Sequence, residues 1–240
     1  MKLKLIFSYD GSKFQGSATQ PHQNSVQDAL AKALRHLGIY EKPLFASRTD
    51  KGVHALNAVA SVKCGEHFRD LNALKALINR FSRPNINIKF TKIVSENFQP
   101  RFDAKMREYR YLLYHGAFNP FLSSYFHFYP KIDIKKANEI LSLFVGTHDF
   151  RLFAKQNSPS KDSKRSIFIA KAYSHKDLTV FKFRANGFLR SQIRLMMSGV
   201  LAVLEGKLSK DNLKEQILAK ASHIRTPTPP NALYLARIFY

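Results

Sequence analysis

The sequence has 240 residues and a net charge of +22, because 39 Lys and Arg outnumber 17 Asp and Glu. A cationic excess of this size indicates a polyanionic partner, either a nucleic acid or an anionic membrane surface. The hydrophobic fraction of 45% excludes a disordered basic tail, so the charge is expected on a folded surface. The length is compatible with one large domain or two small ones.

The number of cysteines, the positions of the histidines and the distribution of apolar residues exclude further classes of protein. The single cysteine, Cys64, can form neither an internal disulfide nor a thiolate metal cluster, and it fits a reducing cytosol. His22, His54 and His148 are too dispersed along the chain to indicate a metal site. No stretch approaches the roughly 20 apolar residues that cross a bilayer, and the first residues lack the apolar core of a secretion signal. We therefore expect a soluble cytoplasmic protein without a metal.

Residues 1–104 are predicted to form an N-terminal half in which strands and helices mingle. Hydrophobic periodicity and turn signals indicate, in chain order, a strand at 2–9 ended by the turn 10–12, a helix from the N-cap Ser25 to about Leu37, a strand, turn and strand over 45–63, a helix at 71–80 and a strand at 86–94.

Residues 105–240 are predicted to form a C-terminal half with the same mixed pattern. The predicted elements are a strand at 108–114, a helix that Asp133 caps and that ends at Gly146, a hairpin of strands 166–174 and 178–185, helices at 188–204 and 210–223, and a last strand at 233–239. Because no regular strand–helix–strand repeat occurs, we expect an α+β fold with largely antiparallel sheets in two similar halves.

The densest positive charge lies in residues 151–200, which hold 11 basic residues against 2 acidic ones. Within this block, residues 154–166 combine Ser, Pro and Asn with Lys155, Lys161, Lys164 and Arg165, a composition typical of an exposed basic loop. Such a loop is either simply solvated or contacts phosphates, and the charge of the whole chain favours contact.

A first candidate for chemistry is the stretch 46–55, which places Arg48, Asp50, Gly52 and His54 between two apolar strands. Such a group of residues is compatible with catalysis. The structural alternative is that Asp50, Lys51 and Gly52 form a hairpin turn and that the other residues only flank this turn. Composition alone leaves these two interpretations equal.

A second candidate is the strand that carries Tyr109. On a strand, one face holds Arg107, Tyr109, Tyr111 and Leu113, and the other holds Glu108, Arg110, Leu112 and Tyr114. If Leu113 faces the core, Tyr109 lies at the rim of that face, where it could stack on a base. Tyrosines that simply pack on a sheet are the commoner alternative.

A third candidate is the pair Arg190 and Arg194, which we predict to lie one turn apart on the helix at 188–204. Like charges at this spacing repel each other, so the pair favours a bound anion. That anion is a phosphate or a carboxylate from elsewhere in the fold, unless both arginines are simply solvated.

Five motifs occur along the chain in a characteristic order. They are Tyr9-Asp10-Gly11-Ser12-Lys13-Phe14, Ser25-Val26-Gln27, Arg48-Thr49-Asp50-Lys51-Gly52-Val53-His54, Arg107-Glu108-Tyr109-Arg110-Tyr111 and Asn186-Gly187-Phe188-Leu189-Arg190. In this order and spacing the sequence resembles the TruA-type tRNA pseudouridine synthases, and the resemblance extends to the ending Leu233-Tyr234-Leu235. The element around Asp50 is highly specific to that family, so it favours the catalytic interpretation.

The resemblance implies an isomerase that converts uridine to pseudouridine at positions 38 to 40 of the tRNA anticodon arm. It implies no cofactor and no metal, a homodimer, and two α+β halves whose sheets join around a basic central cleft. Asp50 matches the family's nucleophile, Tyr109 matches the tyrosine that stacks on the target uracil, and Arg190 falls where an arginine lies near the aspartate. We expect Arg48 to assist catalysis, and we expect substrate binding by Lys13, His54, Arg107, Arg110 and Arg194.

The isomerisation of uridine explains why an aromatic residue, a carboxylate and arginines are found at these positions. The uracil must leave the stack, and an aromatic face such as that of Tyr109 replaces the lost stacking. A neighbouring guanidinium, from Arg190 or Arg48, favours the ionised form of a carboxylate. The residues leave open whether Asp50 attacks the ribose, adds to the uracil or removes a sugar proton to give a glycal.

Two departures from the family pattern concern predicted RNA contacts. Residues 16–20 lack a tryptophan that is common there, and Gln192 stands where a histidine is common. A second hypothesis is therefore a non-catalytic tRNA-binding or folding protein that uses the same cleft. A basic membrane-surface protein ranks third, because no predicted helix opposes a cationic face to bulky apolar residues.

Overall fold

The computed structural model describes residues 1–21, 24–155 and 162–240. Its contacts divide the chain into two compact units, one of Met1–Lys105 with Tyr234–Tyr240 and the other of Met106–Leu233. The sequence placed the boundary between residues 104 and 105 and assigned the last strand to the second half. In the structure, residues 234–240 group with the first unit.

The first unit is a mixed sheet with two helices. Its elements are β1 (Lys2–Tyr9), α1 (Val26–Arg35), β2 (Leu44–Phe45), β3 (His54–Lys63), α2 (Leu71–Ser82), β4 (Ile86–Val94) and β10 (Leu233–Phe239). The strand order is β4-β1-β3-β10, and β2 pairs with β3. The pairs β1–β3, β1–β4 and β2–β3 are antiparallel, whereas β10 is parallel to β3.

Local sequence explains the elements of the first unit. In β1 the alternate residues Leu3, Leu5 and Phe7 are fully buried, as period-two patterning predicts for a strand over a core. The helix α1 begins with a capping box, in which Ser25 accepts from the Asp28 N–H and Asp28 accepts from the Ser25 N–H. The bounds predicted for β1 and β4 and the N-cap Ser25 are therefore confirmed.

The second unit also combines a sheet with helices. Its elements are β5 (Met106–Tyr114), β6 (His127–Phe128), α3 (Ile134–Ser142), β7 (Gly146–Asp149), β8 (Lys164–His175), β9 (Leu178–Ala185), α4 (Gln192–Leu204) and α5 (Lys210–Ile217). The strand order is β5-β9-β8-β7 with antiparallel pairing, and β6 runs parallel to β5. The predicted α+β class with largely antiparallel strands is thus confirmed.

Three helix predictions in the second unit are corrected by the structure. The helix predicted to end at Gly146 ends at Ser142, and Gly146 begins β7. The helix predicted at 188–204 begins only at Gln192, because Ser191 has a left-handed backbone (φ 61) and the Gln192 side chain accepts from the Leu189 N–H. The helix predicted at 210–223 ends at Ile217, because the Gln216 side chain accepts from the N–H groups of His223 and Ile224 and turns the chain back.

Some predictions fall partly outside the described residues. The basic loop predicted at 154–166 includes residues 156–161, Lys161 among them, and His22 also lies outside the described ranges. Within those ranges, no helix has the length and apolar character that a membrane crossing requires.

Candidate active site

Asp50 lies on the loop between β2 and β3, at the start of a tight turn. The Val53 N–H donates to the Asp50 carbonyl at 3.2 Å, and Gly52 has a positive φ of 80° at the third position of the turn. This geometry is that of a type II turn, in which glycine avoids the strain a side chain would cause. The turn predicted from composition is therefore present. Asp50 is half-buried, and Arg48 and Lys51 are exposed.

The residue before Asp50 is held by three hydrogen bonds from distant parts of the unit. The Thr49 N–H donates to Ser17 Oγ at 2.7 Å, and the Ser17 N–H donates to the Thr49 carbonyl at 3.1 Å. The Tyr9 hydroxyl lies 2.8 Å from Thr49 Oγ1. Ser17 is fully buried, and together these bonds fix the backbone that leads into Asp50.

Two glycines allow the chain to approach the Asp50 loop closely. A Cβ on Gly11 would lie 2.0 Å from the Val53 carbonyl oxygen, so no other residue fits there without a shift of the backbone. Gly16 has a φ of +110°, and its Cβ would lie 3.1 Å from the Thr49 carbonyl oxygen. The segments 9–11 and 16–17 therefore clamp the loop by direct contact between backbones.

His54 supports this clamp from inside the unit. Its side chain is buried, its Nδ1 accepts from the Gly11 N–H at 3.0 Å, and its ring stacks on Tyr234 with 4.7 Å between the ring centroids. Asp10 Oδ1 lies 3.3 Å from the same nitrogen and accepts from the Ser12 N–H. The sequence suggested that His54 binds substrate, and this stays a prediction; the structure places the side chain in contact with Gly11 and Tyr234.

Lys13 ends the short 3-10 turn Gly11–Lys13 and is exposed. Because Gly11 contacts the Val53 backbone, the segment that carries Lys13 is tied to the Asp50 loop. The first unit thus brings together four residues that the sequence singled out, namely Lys13, Arg48, Asp50 and His54.

Tyr109 lies in β5 of the second unit, opposite Phe183 of β9. Its side chain is 8% exposed, and the Phe188 ring packs edge-on against it with 5.4 Å between centroids. Tyr111 and Leu113 are fully buried on the same face. The predicted division of β5 into two faces is confirmed, and Tyr109 is covered more fully than a rim position implies.

The segment 186–194 is tied to its surroundings by backbone contacts. Arg107 Nη1 donates to the Asn186 carbonyl at 2.9 Å, and the Lys155 N–H donates to the Arg190 carbonyl at 3.0 Å. Arg194 Nε donates to the Thr228 carbonyl at 2.7 Å. The segment therefore has fixed neighbours on both sides.

The expectation that both arginines project from one helix is wrong. Arg190 is exposed and lies in the turn before α4, whereas Arg194 is half-buried in the first turn of the helix. The left-handed Ser191 between them breaks the helical spacing on which the prediction rested.

Arg110 lies on the opposite face of β5 from Tyr109, beside the buried carboxylate of Glu108. The Glu108 carboxylate accepts from Arg184 at 2.7 Å and lies 3.2 Å from Lys182 Nζ and 3.5 Å from Arg110 Nη2. Burial alone would raise the pKa of Glu108, but the hydrogen bonds and charges of Arg184 and Lys182 hold it below its usual range. No role for Glu108 was predicted from the sequence, and only its position among basic residues on β5 could have indicated one.

Within the described ranges, no group of three or more His, Cys, Asp or Glu side chains is arranged to hold a metal ion. In the first unit the Asp50 loop carries a carboxylate with the exposed cations Arg48 and Lys51, a set that suits nucleophilic chemistry on a polyanionic substrate. In the second unit Tyr109 packs against Phe188 of the segment 186–194, which also carries Arg190 and Arg194.

The chain matches a family model described as tRNA pseudouridine synthase over residues 5–103 and 140–240. A protein named tRNA pseudouridine synthase A from Campylobacter jejuni is 57% identical over 240 residues, 100% of both chains. Proteins of the same name from Wolinella succinogenes and Helicobacter pylori are each 37% identical, and the alignments cover 99% of this chain and 94% and 98% of theirs.

This chain belongs to the tRNA pseudouridine synthase family. The resemblance and the isomerase class inferred from the five motifs are thereby confirmed. The tRNA pseudouridine synthase match includes Asp50 and its clamp in residues 5–103, and Arg190 and Arg194 in residues 140–240. Tyr109 lies between the two matched ranges.

Among solved structures, one described as "Crystal Structure of a Cbf5-Nop10-Gar1 Complex" aligns with this tRNA pseudouridine synthase at a TM-score of 0.43 and 12% identity. The alignment covers 97% of this chain and 48% of that chain. The likeness is too low to carry a conclusion, and the family assignment depends on the sequence matches.

Proposed function

We propose that this protein isomerises uridine to pseudouridine at positions 38 to 40 of the tRNA anticodon arm, with Asp50 as the nucleophile. The observation that carries the proposal is the placement of Asp50. It follows directly on Thr49, which Ser17 and Tyr9 hold, in a chain that is 57% identical over its full length to a tRNA pseudouridine synthase A. A clamped loop presents a carboxylate in one orientation, which nucleophilic attack requires.

The reaction needs no oxidant or reductant. The bond between ribose C1′ and uracil N1 breaks, a bond between C1′ and C5 forms, N1 gains a proton and C5 loses one. Asp50 either attacks C1′, adds to the uracil ring or removes a ribose proton to give a glycal. All three routes use the same carboxylate, so they share the requirement for Asp50.

Tyr109 supplies the aromatic surface for the flipped uracil. A base that leaves the stack loses stacking free energy, and an aromatic side chain replaces part of it, at about 1–3 kcal/mol per base. Because Tyr109 is 8% exposed beneath the edge of Phe188, entry of the base requires Phe188 or its neighbours to move aside.

The basic residues divide into two roles. Arg190 and Arg48 stabilise the negative charge of the nucleophile and of the transition state. Lys13, Arg107, Arg110 and Arg194 contact phosphates and fix the position of the RNA without reading its sequence. His54 contributes by supporting the Asp50 loop, because its ring is engaged with Gly11 and Tyr234. We further propose that the protein acts as a cytoplasmic homodimer that needs neither cofactor nor metal.

Nucleotide-resolution mapping of pseudouridine tests the substrate assignment. The protein is incubated with unmodified tRNA transcripts that carry uridine at position 38, 39 or 40, and with matched transcripts in which that uridine is cytidine. We expect pseudouridine at these positions and nowhere else in the tRNA. Pseudouridine in another arm, with the anticodon arm unchanged, would contradict the assigned site while leaving the family assignment intact.

A further inference from the structure

A row of cations crosses three neighbouring strands of the second unit. Arg110 of β5 lies directly opposite Lys182 of β9, and Lys182 lies directly opposite Lys171 of β8. Adjacent strands are about 4.8 Å apart, so these three side chains emerge side by side from one face of the sheet. Arg184, two residues along β9 from Lys182, emerges from the same face. We call these four residues the cation row.

The cation row lies on the face of the sheet opposite the apolar core. Phe181 and Phe183 alternate with the cations of β9, point to the other face and are fully buried. Lys171 is exposed, and the side chain of Arg110 is 40% exposed. Glu108 contacts three of the four cations and leaves a surplus of positive charge. Like charges directly opposite each other destabilise a sheet, so this arrangement favours an anionic ligand.

Arg110 leaves part of its guanidinium accessible to a ligand. Its side chain is 40% exposed, and guanidinium groups commonly bind the oxygens of phosphates. The Glu108 carboxylate engages Lys182 and Arg184 more closely than Arg110.

We propose that the cation row binds the sugar-phosphate backbone of tRNA, and that Glu108 holds Lys182 and Arg184 in position for it. The inference rests on the proposed function, because it takes tRNA as the substrate. Tyr109 and Arg110 point to opposite faces of β5, so a base stacked on Tyr109 cannot also reach the cation row of the same unit. The cation row therefore contacts a part of the tRNA remote from the target uridine.

Lys171→Ala tests the cation row with little risk to folding, since Lys171 is exposed and lies at a distance from Glu108 along the row. The matched control is Lys136→Ala, an exposed lysine on α3 outside the cation row. Each variant is compared with the wild type by the tRNA dissociation constant over a series of salt concentrations and by KM and kcat for pseudouridine formation. The charge reversal Lys171→Glu is measured in the same way.

Lys171→Ala is expected to weaken tRNA binding and to lower the magnitude of the salt slope by about 0.7–0.9, the value for one lost phosphate contact. KM should rise with kcat unchanged, Lys171→Glu should show larger changes, and Lys136→Ala should match the wild type. Dissociation constants and salt slopes equal to the wild type for both Lys171 variants would overturn the proposal. So would a change in oligomeric state at unchanged tRNA affinity, which would make the row an interface between copies.

The two proposals fail in different ways. Suppose that no pseudouridine forms in tRNA but Lys171→Ala still reduces the salt-dependent binding of tRNA. This result would support tRNA binding by the cation row and contradict the proposed function. If the wild type forms pseudouridine at the expected positions and the Lys171 variants bind tRNA normally, the result would contradict only the proposal that the cation row binds tRNA.

Discussion

Ser17 Oγ accepts a 2.7 Å hydrogen bond from the backbone N–H of Thr49, the residue that precedes Asp50. The Ser17 N–H returns a bond to the Thr49 carbonyl, so one buried serine engages both polar groups of the Thr49 backbone. Gly11 and Gly16 also approach the same loop closely. The orientation of Asp50 therefore depends on residues more than thirty positions earlier in the chain.

Ser17→Ala should lower kcat while leaving KM for tRNA nearly unchanged. The variant leaves the Thr49 N–H without its acceptor, which costs about 1–3 kcal/mol, and lets the loop shift. A displacement of the order of 1 Å at a reacting group can cost about 100-fold in rate. Thr19→Ala is the control, because Thr19 is exposed and bonds Gln27 and Asp28 rather than the Asp50 loop. Equal kcat values for the two variants would contradict the clamp.

Separate substitution of the two arginines should distinguish their roles. We expect Arg190→Gln to lower kcat by about 100- to 1000-fold, as loss of a charge-stabilising group does. Arg194→Gln should mainly raise KM, since we assign it to phosphate binding. Steady-state kinetics of pseudouridine formation separate the two effects. If kcat falls by this amount in Arg194→Gln but not in Arg190→Gln, the catalytic arginine is Arg194.

Tyr109 should act through its ring rather than its hydroxyl. Tyr109→Phe retains the aromatic face, so its kcat/KM should stay near the wild-type value. Tyr109→Leu removes the stacking surface, and kcat/KM should fall by about 5- to 150-fold, the equivalent of 1–3 kcal/mol. Thermal unfolding of both variants checks that the packing against Phe183 survives. A Leu variant as active as the Phe variant would exclude stacking on Tyr109.

The stability supplied by Glu108 should depend on pH. Because the folded-state pKa of Glu108 lies below its usual value near 4.5, its stabilisation is fully present above that value and is lost as pH falls through the lowered pKa. Glu108→Gln should therefore reduce the free energy of unfolding by about 1–3 kcal/mol at pH 7 and by progressively less below about pH 4.5. Urea unfolding at pH 7, 5, 4 and 3 measures this.

Glu139→Gln is the control for Glu108, because its side chain is 49% exposed and pairs with Lys210 at the surface. Exposed pairs contribute about 1 kcal/mol or less, so this variant should unfold almost as the wild type does. A Glu108→Gln destabilisation that is the same at pH 7 and pH 3 would show that the pKa of Glu108 is equal in the folded and unfolded states, contrary to the lowering by Arg184 and Lys182.

The sequence predicted those features that are determined locally. The alternation in β1, the Ser25 cap of α1, the turn at Asp50 and the two faces of β5 each follow from neighbouring residues. The motif around Asp50 forms one contiguous loop, so its residues stand together in the sequence as they do in space, and the family can be recognised from them.

Features set by contacts between distant segments could not be predicted in this way. The role of Ser17 depends on a hydrogen bond across 32 positions, and the pairing of β10 with β3 joins Tyr234 to the distant His54. The stacking of the buried His54 ring on Tyr234 likewise depends on a distant strand and cannot be inferred from the motif around Asp50. The start of α4 was misplaced because a left-handed Ser191 has no sequence signal as clear as a glycine.

Release of tritium from tRNA labelled at uridine C5 tests the central claim most directly. The wild type should release tritium as C5 loses its proton, and Asp50→Asn should release it at least about 1000-fold more slowly while binding tRNA as tightly. The asparagine keeps the size of the side chain and removes the charge. Undiminished tritium release by a folded Asp50→Asn variant would contradict the assignment of Asp50 as the nucleophile.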